Sequence, residues 1–268
     1  MNQLQHRAFL ARKRLVQFLR APRKPDRPPQ TIFVAGVQRS GTNMMMDVLE
    51  RSLQTDVYHE TDPRAFDAYE MRPMPVIRQL IRRSPAPFVV IKALCELQTL
   101  RALLDEFQPA KGVWVFRDYE DVVNSHLALW RKMPENIGKI LQNRDRAAWR
   151  GRGMSDATLA TVSALYHPGI TNESACALFW YFRNVLFFEQ NLDEDPRVRL
   201  VRYEDLVTQP NERFSQLFDF LGVEFTTRVA SSVFASSVRK KDPPTIEQPI
   251  REICETLRER LVAAAHSH

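Results

Sequence analysis

The chain has 268 residues, 44% hydrophobic and 26% charged, enough to bury a sizeable core and within the range of one large α/β domain. The formal net charge of +6 is unevenly placed: residues 1–30 carry eight basic side chains and one acid, which leaves the remainder at about −1. That argues against a nucleic-acid-binding body, and three scattered cysteines, Cys95, Cys176 and Cys254, argue against a zinc or disulfide framework. No apolar run reaches the length of a membrane span, so the expectation is a cytoplasmic protein with reduced thiols and no structural metal.

Two units are expected, a basic arm over 1–30 and a single domain over 31–268. Leu4, Ala8, Ala11, Leu15 and Phe18 recur at three- and four-residue spacing, which predicts an amphipathic helix from Leu4 to Arg20. It suits packing on the domain or a solvated arm; its arginines also suit an anionic membrane surface. Four prolines over 21–30 read as a linker.

Thr31 to Ala35 has the composition of a strand covered on both faces, and Gly36 and Gly41 bracket a loop that turns into a helical pattern. The first-turn N–H groups of such a helix have no backbone partner and favour an anion. Arg39 adds a fixed cation; Ser40, Thr42 and Asn43 add donors. Asp56 to Arg64 reads as a polar loop, and Pro73, Pro75, Pro85 and Pro87 as breakers of any long helix between 70 and 88. Strands follow at 88–91 and 112–116, closed by Lys92 and Arg117, with helices over 96–107 and 119–130. Residues 131–171 show no sustained period. A long aromatic helix over 172–191, read as core, precedes a strand at 198–201, a helix over 211–221 stopped by Gly222, a basic loop over 236–244 and a last helix over 248–265. Alternating strands and helices predict an α/β fold: a mainly parallel sheet with helices on both faces, binding ligands at the carboxyl ends of its strands.

The loop at 36–42 departs from a nucleoside-triphosphate P-loop, since Gly41 is followed by Thr42 rather than lysine. Arg39-Ser40-Gly41-Thr42 after a strand resembles instead the 5′-phosphosulfate loop of the sulfotransferases, whose donor is 3′-phosphoadenosine 5′-phosphosulfate (PAPS). Arg117, with Ser125 eight residues on, resembles the family's 3′-phosphate element; a dianion suits a guanidinium fork and a hydroxyl donor. Arg202-Tyr203-Glu204-Asp205-Leu206 resembles the segment whose tyrosine contacts the adenine, and the basic loop with Ser237, Arg239 and Lys240 the late loop over the nucleotide.

The resemblance implies a P-loop-like nucleotide-binding fold and a metal-independent transfer of a sulfuryl group from PAPS to an acceptor hydroxyl. Arg39 and Lys92 would stabilise the leaving phosphate. Small-molecule members place a histidine two residues after that lysine, where this chain has Leu94. The tyrosylprotein branch places a glutamate twenty-one residues after the loop arginine, where this chain has Glu60 before Thr61, with His59 its rival as general base. A saccharide or glycoconjugate hydroxyl is the acceptor put first, a protein tyrosine or other phenol second. A P-loop kinase or NTPase, and a nucleotide-binding scaffold without turnover, are the remaining alternatives.

Overall fold

The computed structural model describes residues 3–20, 28–129, 131–144, 147–235, 238 and 240–267. After helix α1 (Gln3–Arg20) come strand β1 (Gln30–Ala35), helix α2 (Thr42–Glu50) and strand β2 (Thr55–Tyr58). A small hairpin, β3 (Phe66–Asp67) with β4 (Glu70–Met71), precedes α3 (Met74–Arg83), β5 (Phe88–Ala93), α4 (Leu100–Glu106), β6 (Ala110–Phe116) and α5 (Tyr119–Leu127). Helices α6 (Met133–Gln142), α7 (Asp156–Leu165) and α8 (Asn172–Glu189) lead to β7 (Val198–Arg202) and then α9 (Tyr203–Thr208), α10 (Pro210–Leu221), α11 (Thr227–Ala230) and α12 (Gln248–His266).

Five strands form one parallel sheet in the order β2-β5-β1-β6-β7. The continuous apolar runs have a direct cause: successive side chains alternate between faces, and both faces are covered. Ile32 and Val34 enter one core cluster with Met45, Leu49 and Phe218, while Phe33 and Ala35 enter the other with Trp114, Phe179 and Trp180. The aromatics of α8 are core, as expected, with Phe179 and Phe182 edge to face at 5.3 Å. In register, Val34 lies beside Lys92 and Phe116 beside Arg202, so the β1 loop, Lys92 and Arg117 emerge at one edge.

Several expectations are corrected. Asp56 to Tyr58 belongs to β2, an edge strand; it is short, and Asp56 is polar because it takes hydrogen bonds from Tyr58 and Ser84. The prolines near 73–75 start α3 rather than prevent a helix, since Pro73 is its N-cap and Pro75 sits in the first turn, where no N–H is needed. Residues 131–171 hold α6 and α7; Met133, Ile137 and Ile140 are buried, but Gly138 and the charges among them blur the period. Helix α1 does form, but its apolar stripe does not face the body. Buried Lys13 and Gln17 face it instead, with Lys13 Nζ on the Thr55 hydroxyl (3.1 Å) and Gln17 Nε2 on the Thr55 carbonyl (2.7 Å).

Candidate active site

The loop after β1 is tight because two glycines meet backbone and ring atoms directly. Gly36 has φ 147° and a side chain there would strike the Val115 carbonyl; Gly41 has φ 96°, and a Cβ would lie 2.2 Å from the Tyr203 ring. Only glycine relieves both the left-handed backbone and the contact at 41. Arg39 also has positive φ, 71°, and is exposed. Gly41 caps α2 without a side-chain hydrogen bond, so the first N–H groups of that helix face the loop. Ser40 is fully buried there, and its hydroxyl has no hydrogen-bond partner among the described residues.

A cavity of about 510 Å³ opens at this edge, and Arg39, Gly41, Thr42, Asn43, Arg117, Ser125, Tyr203 and Lys240 line it together. Arg39 Nε donates to Ser125 Oγ at 2.8 Å, so the loop arginine touches the hydroxyl of the second motif. Arg117 is nearly buried, lies 4.7 Å over the Tyr203 ring and pairs with Asp121 at 3.1 Å. The neighbouring acids are engaged elsewhere: Asp118 accepts from the Glu120 N–H as the cap of α5, and Glu120 pairs with Arg251. Tyr203 thus backs both Gly41 and Arg117, and Glu204 next to it accepts the Asp118 N–H at 3.0 Å. The 202–206 segment therefore clasps the β1 loop to the start of α5.

Lys92 is 1% exposed and donates to Glu60 Oε1 at 2.5 Å and to Asn43 Oδ1. Burial pulls its pKa below the usual lysine value, against the opposing pull of Glu60 and Asp47. Glu60 is paired with Lys92, not with Arg64, which forks onto Asp62 instead. The glutamate side chain is 15% exposed, the partial burial a carboxylate base needs. His59 points the other way, with Nε2 3.6 Å from Glu50. Burial works against charging His59, but the hydrogen bond and charge of Glu50 outweigh it and raise its pKa. The geometry thus favours Glu60 over His59 as the group beside the lysine.

Sequence reasoning passed over four contributors. Asn124 and Lys241 line the cavity and join across it, Lys241 Nζ lying 3.5 Å from the Asn124 carbonyl, while Asn124 Nδ2 donates to the Asp242 carbonyl. Asp121 fixes Arg117 from one turn along α5, a spacing readable in sequence only once that helix is trusted. His126 is fully buried and donates from Nε2 to the Gln38 carbonyl at 3.1 Å, tying α5 to the loop. Burial holds its pKa down to about 4, so it is neutral at ordinary pH. Ser237 and Arg239 lie outside the described residues. No cluster of three or more metal-ligating side chains occurs among the described residues.

Known proteins give the same direction. A family model for the sulfotransferase domain matches residues 29–248. Cytosolic sulfotransferase 8 of Arabidopsis thaliana is 28% identical over 218 residues, 76% of this chain; the chain spans 58% of that relative's length. Among solved structures, the sulfotransferase domain from the curacin biosynthetic pathway has TM-score 0.53 at 16% identity, covering 87% of this chain and 99% of that one. A sulfotransferase from Alicyclobacillus acidocaldarius has TM-score 0.53 at 15% identity, covering 91% and 96%. These structures share the fold, and none of the described helices is long and apolar enough to cross a membrane. With the domain model matching most of its length, the chain belongs to the sulfotransferase family.

Proposed function

We propose that this chain transfers a sulfuryl group from PAPS to an acceptor hydroxyl. The observation that carries the reading is that Arg39 and Arg117, which follow different strands, line one cavity together with Ser125, the hydroxyl that Arg39 touches. The residues suit a bis-phosphorylated adenosine: a helix start and Arg39 for the 5′ end, Arg117 and Ser125 for the 3′-phosphate, and a glycine cradle that a Cβ would fill. Lys240, which also lines the cavity, adds positive charge.

PAPS supplies an activated sulfuryl group and leaves as 3′-phosphoadenosine 5′-phosphate. The chain's own residues handle the proton and the charge. Glu60 takes the proton of the acceptor hydroxyl as that oxygen attacks. Its carboxylate pairs with Lys92, and it acts as base once the ammonium swings toward the leaving phosphate oxygen. Asn43, touching Lys92 and lining the cavity, is placed to guide that swing. Arg39 stays on the 5′-phosphate, and no protein nucleophile is required.

The acceptor we assign is a saccharide or glycoconjugate hydroxyl. The residues that follow Glu60 in sequence support this: Thr61, Asp62 and Arg64 are polar and line a cavity beside α1, which suits a polyhydroxyl acceptor better than an apolar one. A tyrosine or other phenol is the second reading, favoured by the position of Glu60 in sequence. Calorimetry of 3′-phosphoadenosine 5′-phosphate against ATP–magnesium, followed by an acceptor screen with labelled sulfate, tests the whole. Preference for ATP–magnesium would indicate a kinase or NTPase; tight nucleotide binding with no transfer to any acceptor would indicate a scaffold.

A further inference from the structure

Helix α1 contributes nothing to the cavity of Arg39 and Arg117, and it is seated in an unusual way. It turns Lys13 and Gln17, 3% and 4% exposed, toward the body. The opposite side carries Leu4 at 77%, Leu15 at 59%, Phe18 at 75% and Leu19 at 73% exposure, with Ala8 and Ala11 between them also exposed. A surface helix ordinarily buries its apolar stripe against the core and leaves the polar one to water. Here Phe9, Leu10 and Val16 are half-buried, yet four of the eight large apolar side chains left exposed among the described residues stand on the helix.

Charge says what covers that stripe. By the helical period, Arg7 and Arg14 border it on one side and Arg12 on the other, all exposed. The sequence holds no acid before Asp26. Alongside runs a groove of about 640 Å³ between α1 and the body, lined among the described residues by Arg12, Arg20, Arg51 and Arg228 and one acid, Glu224. A second copy of the chain would set arginine against arginine across the contact. A polyanion without an apolar phase would leave the leucines and Phe18 in water.

We propose that this face lies flat on an anionic lipid bilayer. The stripe of Leu4, Leu15, Phe18 and Leu19 enters the boundary between headgroups and acyl chains, and the bordering arginines and the groove take lipid phosphates. On its other side, facing the body, α1 lines a cavity with His59, Thr61 and Arg64 through Lys13 and Gln17, so the helix packs against the segment that carries the proposed base.

The test is co-sedimentation of the full chain with vesicles of phosphatidylcholine alone, or with about one-third phosphatidylglycerol. The mixed vesicles should bind at least ~10-fold more tightly, and about 0.5 M salt should remove most of that preference. Leu15→Glu with Phe18→Glu should cut binding ~10-fold or more while affinity for 3′-phosphoadenosine 5′-phosphate stays the same. Arg12→Gln with Arg228→Gln should erase the anionic preference. Binding that is absent, equal for both vesicles, or indifferent to Leu15→Glu/Phe18→Glu overturns the proposal. So does a concentration-dependent dimer, seen by light scattering, that those two substitutions abolish, since it would assign the face to a second copy.

Discussion

The two halves of the site are built by different means. Around Arg39 and Arg117 the backbone sets the positions: a loop pinned by Gly36 and Gly41, a helix start, and Tyr203 wedged behind Gly41 and Arg117. The Glu60–Lys92 half depends on side chains reaching from a loop and a strand end, held by one ion pair and by Asn43. A rigid frame suits a nucleotide that must bind in one pose. A pair that can open suits a step in which a proton and a positive charge must move.

That contrast predicts turnover and binding failing separately. Glu60→Gln should lower kcat by about 10²- to 10⁴-fold with nucleotide affinity within a few-fold of the parent; full turnover in that variant would remove Glu60 from the chemistry. Gly41→Ala is the converse, and should weaken 3′-phosphoadenosine 5′-phosphate by ~100-fold or more, because the new Cβ meets the Tyr203 ring and needs φ 96°. Calorimetry checks it, and near-parental affinity would show that the loop yields.

A smaller effect comes from His126, which braces the rigid half. Its folded pKa, about 4, lies below the ordinary histidine value. As pH falls through 6.5 the unfolded chain takes up a proton that the folded chain refuses, so stability declines until about pH 4. Between pH 7.5 and 5 this amounts to about 2 kcal/mol, and His126→Gln should lose that part of the pH slope in urea unfolding. Identical slopes for parent and variant would contradict it. The smallest expected change is Ser125→Ala, which removes one hydroxyl on Arg39 and should weaken the nucleotide about 5- to 10-fold, with kcat little changed. No change in affinity would take Ser125 out of the phosphate site.

The same contrast explains what could be read before folding. A tight loop and a helix start demand fixed residue types at fixed spacing, so Gly36 to Asn43 and Arg117 to Ser125, the segments proposed for the phosphates, stood out. So did β1, β5, β6 and β7, whose alternate residues both find cover. Edge strand β2 was hidden by Asp56, and α6 and α7 by short apolar faces interrupted by glycine and charge. His126 looked like any helix residue because its partner, the Gln38 carbonyl, is a backbone atom far back in the chain. The outward stripe of α1 was equally unreadable: its period announces a helix but not which side meets the body, and two polar contacts at Thr55 decide that.

The central claim is that Arg39 and Arg117 hold opposite ends of one nucleotide. It is tested most directly by titrating 3′-phosphoadenosine 5′-phosphate and adenosine 5′-phosphate into the parent chain and into Arg117→Ala. The account predicts that the parent favours the bis-phosphate by ~100-fold or more, that Arg117→Ala removes most of that preference, and that affinity for the monophosphate barely moves. A parent chain that binds both nucleotides alike, or a substitution that weakens both equally, would contradict it.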